Sequence, residues 1–148
     1  FAEVARVVHD EWGWIPVLVG SGAEREVVTA ERVAARSGGI SLAGRTDLPT
    51  LVEVLRRARC FVGNDSGPMH VAAACGTPTV GVFGSTSPTW TAPRGEQAVA
   101  VGPAPVTCSP CFRSDCPYDF ECLRNLEPAT VLAAIDRLLE VVDGEAGA

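Results

Sequence analysis

The turn Asn64-Asp65-Ser66-Gly67 carries the residue types best suited to binding an anion. It precedes a stretch that predicts a helix, and a helix start can hold a phosphate because its first N–H groups are unpaired and carry about half a positive charge. Gly67 would let a diphosphate approach the backbone, Ser66 would add a hydroxyl donor, and His70 would lie one turn further along the same side. The carboxylate of Asp65 would repel a diphosphate unless a cation or hydrogen-bond donors intervene. On these residues alone, simple capping by Asp65 or Ser66, with a half-buried structural His70, remains an open alternative.

A second group of reactive side chains lies further along the chain. Four cysteines occur within fifteen residues that have no periodicity: Cys108, Cys111, Cys116 and Cys122. Four thiolates can close a tetrahedral zinc site or hold an iron–sulfur cluster. Two disulfides or free thiols are the alternatives, and a reducing compartment disfavours the disulfides. Cys60 and Cys75 lie in apolar stretches and are predicted to be core residues.

Strands alternate with helices along the chain, which predicts an α/β fold. Helices are expected at 1–12, 24–36, 48–59, 69–75 and from residue 128, and strands at 15–19, 40–43, 60–62, 79–83 and 98–101, the last at an edge. Right-handed crossovers then give a mostly parallel sheet covered by helices on both faces. The strand at 15–19 is a continuous apolar run and is expected to be buried on both faces. Ligands would bind at the loops after the strands, at 20–24, 64–70 and 84–90.

Length and composition exclude several classes of protein. A chain of 148 residues with 47% hydrophobic residues is long enough to bury a core, so it should fold. Eighteen acidic against twelve basic residues give a net charge of −6 without a basic block, which argues against nucleic-acid binding. All twelve basic residues are arginine, so no lysine Schiff base or Walker lysine is present. No apolar run approaches the about 20 residues of a membrane span, and no secretory signal is recognisable.

The stretch at 61–88, with Trp90, Pro93 and Gly95 after it, closely resembles glycosyltransferase family 9. That family contains the ADP-heptose:lipopolysaccharide heptosyltransferases. Its signature joins an Asp-Ser/Thr-Gly turn, a histidine one helical turn later, a helix of small residues, Gly-x-Pro, a strand and a Gly-Pro-Thr-x-Pro-like loop. The resemblance implies the Rossmann-like C-terminal half of a GT-B fold. Residues 1–102 and 125–143 would form the donor-binding domain and 103–124 a Cys/Pro-rich insert, while the N-terminal acceptor domain lies outside this chain, which begins with Phe1 rather than Met.

Site residues can be carried over from the family position by position. The turn Asp65-Ser66-Gly67 matches the one that holds the donor diphosphate, and His70 matches the neighbouring helix histidine. Glu24 matches an acidic residue that accepts hydrogen bonds from the ribose hydroxyls, and Thr46 falls where the family lines the adenine pocket. The run Ser85-Thr86-Ser87 replaces the more usual Pro-Thr-Asp, so an acidic contact on the sugar side is lost. Trp90, in the same loop region at 84–95, is expected to pack beneath its loop, with contact to the ligand from that loop as the alternative.

The function implied by the resemblance is transfer of heptose, with inversion, from ADP-heptose to the lipid A-core oligosaccharide of lipopolysaccharide. The catalytic base would come from the N-terminal domain, so this chain alone is expected to bind donor nucleotide weakly and to turn nothing over. No cofactor would be required. The protein would be cytoplasmic, either free or peripheral at the inner membrane. Two alternatives remain: another nucleotide-sugar enzyme, such as a UDP-sugar transferase or epimerase, or a non-catalytic metal-binding module organised by the cysteine cluster.

Overall fold

The chain is described by a computed structural model that covers residues 1–146. It divides into two compact units, Phe1–Glu53 and Val54–Ala148. Each unit has its own parallel sheet with helices packed against it. This is the α/β architecture that the alternation of strands and helices predicts.

The first unit contains a two-stranded sheet and two helices. In chain order its elements are α1 (Ala2–Asp10), β1 (Val17–Leu18), α2 (Glu24–Ser37) and β2 (Ile40–Ser41), and α3 (Leu48–Arg57) begins within it. The strands β1 and β2 are parallel, and α2 packs against both of them and against α1. Helix α2 ends at Gly38, which has a φ of 67° and donates its N–H to the carbonyl of Ala34. A left-handed residue at a helix end favours glycine, so Gly38 sets where α2 stops.

One prediction about this unit is wrong. The strand expected at 15–19 is two residues long, and it is not buried on both faces because Val17 is 40% exposed. Its partner in the ladder, Ile40, is also exposed, whereas Leu18 and Ser41 are half-buried. The alternation shows that only one face of this small sheet is covered. A continuous apolar run cannot distinguish that arrangement from a fully buried strand.

The second unit is larger and contains a three-stranded sheet. After the end of α3 its elements are β3 (Phe61–Asn64), α4 (Gly67–Ala74), β4 (Thr79–Val82), α5 (Pro88–Thr91), β5 (Ala98–Val101), α6 (Glu121–Arg124) and α7 (Pro128–Ala146). The strand order is β3-β4-β5 and all pairs are parallel, which confirms the predicted edge position of β5. Helix α4 packs against β3 and β4, and α7 packs against β4 and β5.

The core of this unit lies around β4, all four residues of which are buried. Phe83, Met69, Val80 and Ile135 are fully buried there. A Cβ atom at Gly81 would lie 2.7 Å from the sulfur of Met69 and 2.9 Å from the ring of Phe83. The absence of a side chain at Gly81 therefore lets α4 pack closely on the sheet. This packing fixes the turn between β3 and α4 at the carboxyl edge of the sheet.

The segment at 84–95 departs from the predicted loop because it contains the short helix α5. Ser87 precedes the helix, and its carbonyl accepts hydrogen bonds from the N–H groups of Trp90 and Thr91. Pro88 occupies the first helical position, where its missing N–H is no loss. Four residues are too few for a hydrophobic period to be visible in the sequence. Nowhere in residues 1–146 is there a helix long and apolar enough to cross a bilayer.

We expect Ile135→Ala to lower the free energy of unfolding by about 2–5 kcal/mol, because it removes a fully buried side chain from α7 and leaves a cavity. Val141→Ala, on the same helix but 56% exposed, is the matched control and should change the free energy by less than about 0.5 kcal/mol. Urea denaturation of both variants tests this. Equal losses for the two substitutions would show that α7 is not packed as described.

Candidate functional site

The turn between β3 and α4 presents backbone N–H groups that the protein does not use. Ser66 is the residue before the helix, but its hydroxyl donates to the carbonyl of Asn64 at 3.0 Å and makes no capping bond. Among residues 1–146, no group accepts a hydrogen bond from the N–H of Ser66 or of Gly67. Both residues are exposed, and Pro68 has no N–H. The simple capping alternative therefore does not describe this turn, and its amides are open to a ligand.

Gly67 leaves open space in front of these amides. A Cβ atom built at Gly67 would meet no other atom within 4 Å, and its φ lies outside the left-handed region. Neither crowding nor backbone conformation thus requires glycine at this position. Another molecule can therefore approach the backbone closely here, as at other helix starts that bind phosphate.

The carboxylate of Asp65 is already engaged by neighbouring side chains. The hydroxyl of Thr91 donates to Oδ2 of Asp65 at 2.6 Å, and Nε2 of His70 lies 3.7 Å from Oδ1. The side chain of Asp65 is only 15% exposed. The hydroxyl donor on one oxygen offsets part of the repulsion that the carboxylate would exert on a bound phosphate. No sequence pattern indicated Thr91, because it lies 26 residues further along on a helix that was not predicted.

His70 lies beside this turn and faces a surface cleft. Its side chain is 49% exposed, so the imidazole is accessible from this cleft. The cleft has a volume of about 390 Å³ and is lined by His70, Trp90, Thr91 and Arg94 together with three alanines. The structure thus brings Asp65, His70 and the amides of the 64–67 turn to one edge of the second unit's sheet.

Glu24 and Thr46 belong to the first unit. Glu24 is the first residue of α2, is exposed, and forms no hydrogen bond or ion pair with any residue in the range that the structure describes. The neighbouring Glu26, which the sequence did not single out, accepts a hydrogen bond from the N–H of Ser21 at 2.8 Å and so holds the turn after β1. Thr46 is half-buried and follows β2. The carboxylate of Glu24 is therefore free to accept donors from a ligand.

The four clustered cysteines are free thiols, and three of them affect the pKa of the fourth, Cys122. Cys122 is buried, and burial together with the nearby thiols of Cys116, Cys108 and Cys111 raises the pKa of its thiol. The sulfur of Cys116 accepts a hydrogen bond from the N–H of Phe120 at 3.3 Å. Within the described part of the chain, no three or more His, Cys, Asp or Glu side chains are placed to hold a metal ion. A zinc or iron–sulfur site at these cysteines stays a prediction that this conformation does not support.

The insert at 103–124 is fixed to the end of β4 by hydrogen bonds. The N–H groups of Cys111 and Phe112 both donate to the carbonyl of Ser85, at 3.0 and 2.8 Å. The hydroxyl of Ser109 donates to the carbonyl of Gly84 at 2.7 Å. An irregular segment needs such a surface to hold one conformation. Ser85, where the family has proline, is thus an anchor for the insert through its backbone.

Trp90 does not pack beneath its loop as the sequence suggested. It is 73% exposed, and its ring stacks on that of Phe112 with 5.5 Å between the centroids and 20° between the planes. Phe112 is itself 50% exposed. The hydrogen bonds of the insert supply this partner, which no local pattern around Trp90 could indicate. The pair forms an open aromatic surface next to the cleft that contains His70.

The sequence of this chain is similar to those of known proteins. The sequence model described as "Glycosyltransferase family 9 (heptosyltransferase)" matches residues 1–120. The chain is 38% identical over 109 residues to Lipopolysaccharide heptosyltransferase 1 of Pseudomonas aeruginosa, an alignment that covers 73% of this chain and 30% of that protein. It is 37% identical over 102 residues to Lipopolysaccharide heptosyltransferase 2 of Escherichia coli, covering 66% of this chain and 29% of the relative. The aligned part of the chain thus covers less than a third of the length of each of these relatives.

Two solved structures are also similar. E. coli ADP-heptose lps heptosyltransferase II superposes with a TM-score of 0.79 at 29% identity, covering 96% of this chain and 41% of that one. The family 9 glycosyl transferase of Veillonella parvula superposes with a TM-score of 0.76 at 23% identity, covering 94% of this chain and 40% of that one. The second likeness supports the fold alone. Together they agree with the predicted Rossmann-like half of a GT-B fold.

Replacing Thr91 by valine should lower the free energy of unfolding by about 1–3 kcal/mol, because the half-buried carboxylate of Asp65 then loses its hydroxyl donor. Thr91→Ser keeps the hydroxyl and should recover most of the loss. Urea denaturation of the two variants measures the difference. An equal loss of unfolding free energy in both variants would show that the hydrogen bond from Thr91 to Asp65 does not stabilise the protein.

The cysteines should differ strongly in their rates of alkylation. Burial raises the pKa of Cys60 to about 11 and also raises that of Cys122, whereas Cys108 is exposed. Because the thiolate is the nucleophile, iodoacetamide at mildly alkaline pH should modify Cys108 well before Cys60 or Cys122. Peptide mass spectrometry follows the three sites, and a urea-denatured sample in which they react alike is the control. Comparable rates in the folded protein would refute the described burial.

Proposed function

Because the chain belongs to glycosyltransferase family 9, we propose that it supplies the donor-binding half of a glycosyltransferase of lipopolysaccharide core biosynthesis. The proposed reaction transfers heptose, with inversion, from ADP-heptose to a core oligosaccharide. The names of the similar proteins support this reaction class, and the name of the similar E. coli structure supports the donor. The observation that carries the proposal is the pair of unpaired amides at Ser66 and Gly67, with open space before them.

The proposed role of the 64–67 turn is to bind the diphosphate of the donor. Its oxygens would accept hydrogen bonds from the N–H groups of Ser66 and Gly67, and the dipole of α4 would favour their negative charge. As the bond between the sugar and the diphosphate breaks, charge grows on the departing oxygen. Fixed donors that already point at that position stabilise the transition state more than the ground state.

Asp65 and His70 would act on the sugar side of the diphosphate. The hydrogen bond from Thr91 holds the Asp65 carboxylate in place, so that it does not turn freely toward the phosphates. His70 is exposed at the cleft and can donate to a phosphate or hydroxyl oxygen, and its Nε2 lies 3.7 Å from Oδ1 of Asp65. Glu24 is the proposed acceptor for the ribose hydroxyls, in keeping with its unpaired, exposed carboxylate, and Thr46 is proposed to contact the adenine.

The proposed mechanism is a single displacement. A hydroxyl of the acceptor attacks the anomeric carbon, the bond from that carbon to the diphosphate oxygen breaks, and ADP leaves with the electron pair. The hydroxyl proton passes to a general base, which we place in the N-terminal acceptor domain of the family rather than in this chain. Because the acceptor is linked to lipid, we propose a cytoplasmic location, with the protein either free or peripheral at the inner membrane.

A glycine substitution tests the diphosphate turn without disturbing the fold. We expect Gly67→Ala to weaken ADP binding by the intact protein about tenfold or more, because its Cβ meets no protein atom yet occupies the space that the diphosphate needs. Gly144→Ala, whose Cβ also meets no atom, is the matched control and should bind ADP like the wild type. Isothermal titration calorimetry measures the affinities, and thermal unfolding checks that both variants fold.

Titration with UDP in the same series separates the alternatives. The proposal expects tighter binding of ADP than of UDP. Tighter binding of UDP would favour a UDP-sugar enzyme, and binding of neither nucleotide would favour a non-catalytic module. Unchanged ADP affinity in Gly67→Ala would remove the 64–67 turn from the donor site.

A further inference from the structure

The stacked rings of Trp90 and Phe112 form an exposed aromatic surface that the proposed diphosphate turn does not use. Trp90 is 73% exposed and Phe112 is 50% exposed, although each has a large apolar ring. Their planes lie 20° apart with 5.5 Å between centroids, so the pair is stacked and not merely adjacent. The outer faces of the two rings together offer an apolar surface on which a ligand with an apolar face can lie.

The two rings are held in place before any ligand arrives. The N–H of Phe112 donates to the carbonyl of Ser85 at 2.8 Å, and the N–H of Trp90 donates to the carbonyl of Ser87 at 3.0 Å. The residue after Trp90 is Thr91, whose hydroxyl donates to Asp65 at 2.6 Å. The aromatic surface is therefore fixed relative to the 64–67 turn within one unit. Such preorganisation reduces the entropy lost on binding.

Polar groups lie where a ligand on this surface could reach them. The cleft of about 390 Å³ beside Trp90 is also lined by His70, Thr91 and Arg94, and its other lining residues are alanines. Arg94 is exposed and makes no ion pair or side-chain hydrogen bond with any residue of the described range. The cleft thus combines an aromatic wall with unused hydrogen-bond donors.

We propose that the Trp90–Phe112 pair is an acceptor subsite on which one pyranose ring of the glycan lies, while Arg94 donates hydrogen bonds to the hydroxyl groups at its rim. A pyranose ring has a face of C–H groups and a rim of hydroxyls. The negative face of an aromatic ring attracts the C–H hydrogens, and the guanidinium satisfies the oxygens. This assignment rests on the proposed function, since it concerns the acceptor of the same reaction.

The openness of the surface favours the acceptor over the other occupants. A small donor is held in a site that buries most of its surface, whereas Trp90 is 73% and Phe112 50% exposed, which suits one unit of a longer glycan. A stable protein partner needs about 800 Å² on each side with an apolar centre, far more than two rings beside an arginine and a histidine. Because Thr91 joins Trp90 to Asp65, the ring would lie next to the diphosphate turn, where an acceptor hydroxyl must be delivered.

Binding of delipidated lipopolysaccharide core oligosaccharide to the intact protein tests the subsite by calorimetry. We expect Trp90→Ala and Phe112→Ala each to weaken oligosaccharide binding about tenfold while leaving ADP binding unchanged. Trp90→Phe keeps an aromatic face and should retain most of the affinity. Tyr118→Ala is the matched control, because Tyr118 is 58% exposed in the same insert but lies outside the stacked pair, and it should bind like the wild type.

The outcomes separate this subsite from the proposed function. Wild-type affinity for the oligosaccharide in Trp90→Ala and Phe112→Ala, or no oligosaccharide binding by the wild type, overturns the subsite, and ADP binding then still supports the donor site. Oligosaccharide binding that needs Trp90, in a protein that does not bind ADP, supports the subsite and overturns the proposed donor. In steady-state kinetics, a rise in the donor KM without a rise in the acceptor KM for Trp90→Ala would assign the ring to the donor sugar and overturn the inference.

Discussion

The proposed diphosphate site depends on one feature, the unpaired N–H groups at the start of α4. A helix start usually satisfies its first N–H groups with a side-chain cap, and serine is among the residues that do so best. Here the hydroxyl of Ser66 turns back to the carbonyl of Asn64, and the N–H groups of Ser66 and Gly67 are left without an acceptor in the described chain. The protein forgoes a capping interaction of about 1 kcal/mol at this position. In the proposed function, the diphosphate of the donor supplies these acceptors.

The surrounding structure supports this turn in two ways. Below it, Gly81 allows Met69 of α4 to pack into β4, so the helix start cannot drift from the edge of the sheet. Beside it, the hydroxyl of Thr91 donates to the carboxylate of Asp65 and fixes its orientation. The insert at 103–124 hydrogen-bonds to the segment that follows β4, and this places Phe112 against Trp90. The packing of α4, the hydrogen bond to Asp65 and the position of the aromatic pair thus all depend on where β3 and β4 end.

The sequence predicts local features well because they depend on near neighbours. The strand before Asn64 and the helix after Gly67 are confirmed. The cap of α3 is equally local, since Asp47 accepts the N–H of Thr50 at 2.9 Å. Hydrogen bonding by Thr50, through its side chain and its backbone, also lowers the pKa of Asp47, as expected for a capping carboxylate.

Features that join distant segments could not be predicted. The bond from Thr91 to Asp65 and the stacking of Phe112 on Trp90 connect residues that no periodic pattern relates. The half-exposed β1 was misjudged because burial depends on what covers a strand, which its own residues do not encode. Cys60 and Cys75 are expected in the core but are half-buried, again because burial depends on which other segments cover a residue. The family resemblance is confirmed by the match over residues 1–120, whereas the roles of Glu24, Thr46 and the 64–67 turn remain predictions.

Amide chemical shifts measured during an ADP titration of the ¹⁵N-labelled protein test the central claim most directly. If the helix start binds the diphosphate, the backbone N–H resonances of Ser66 and Gly67 should show the largest downfield shifts, because they gain charged acceptors that they lack in the free protein. Saturable shifts confined to another surface, with these two resonances unmoved, would contradict the account.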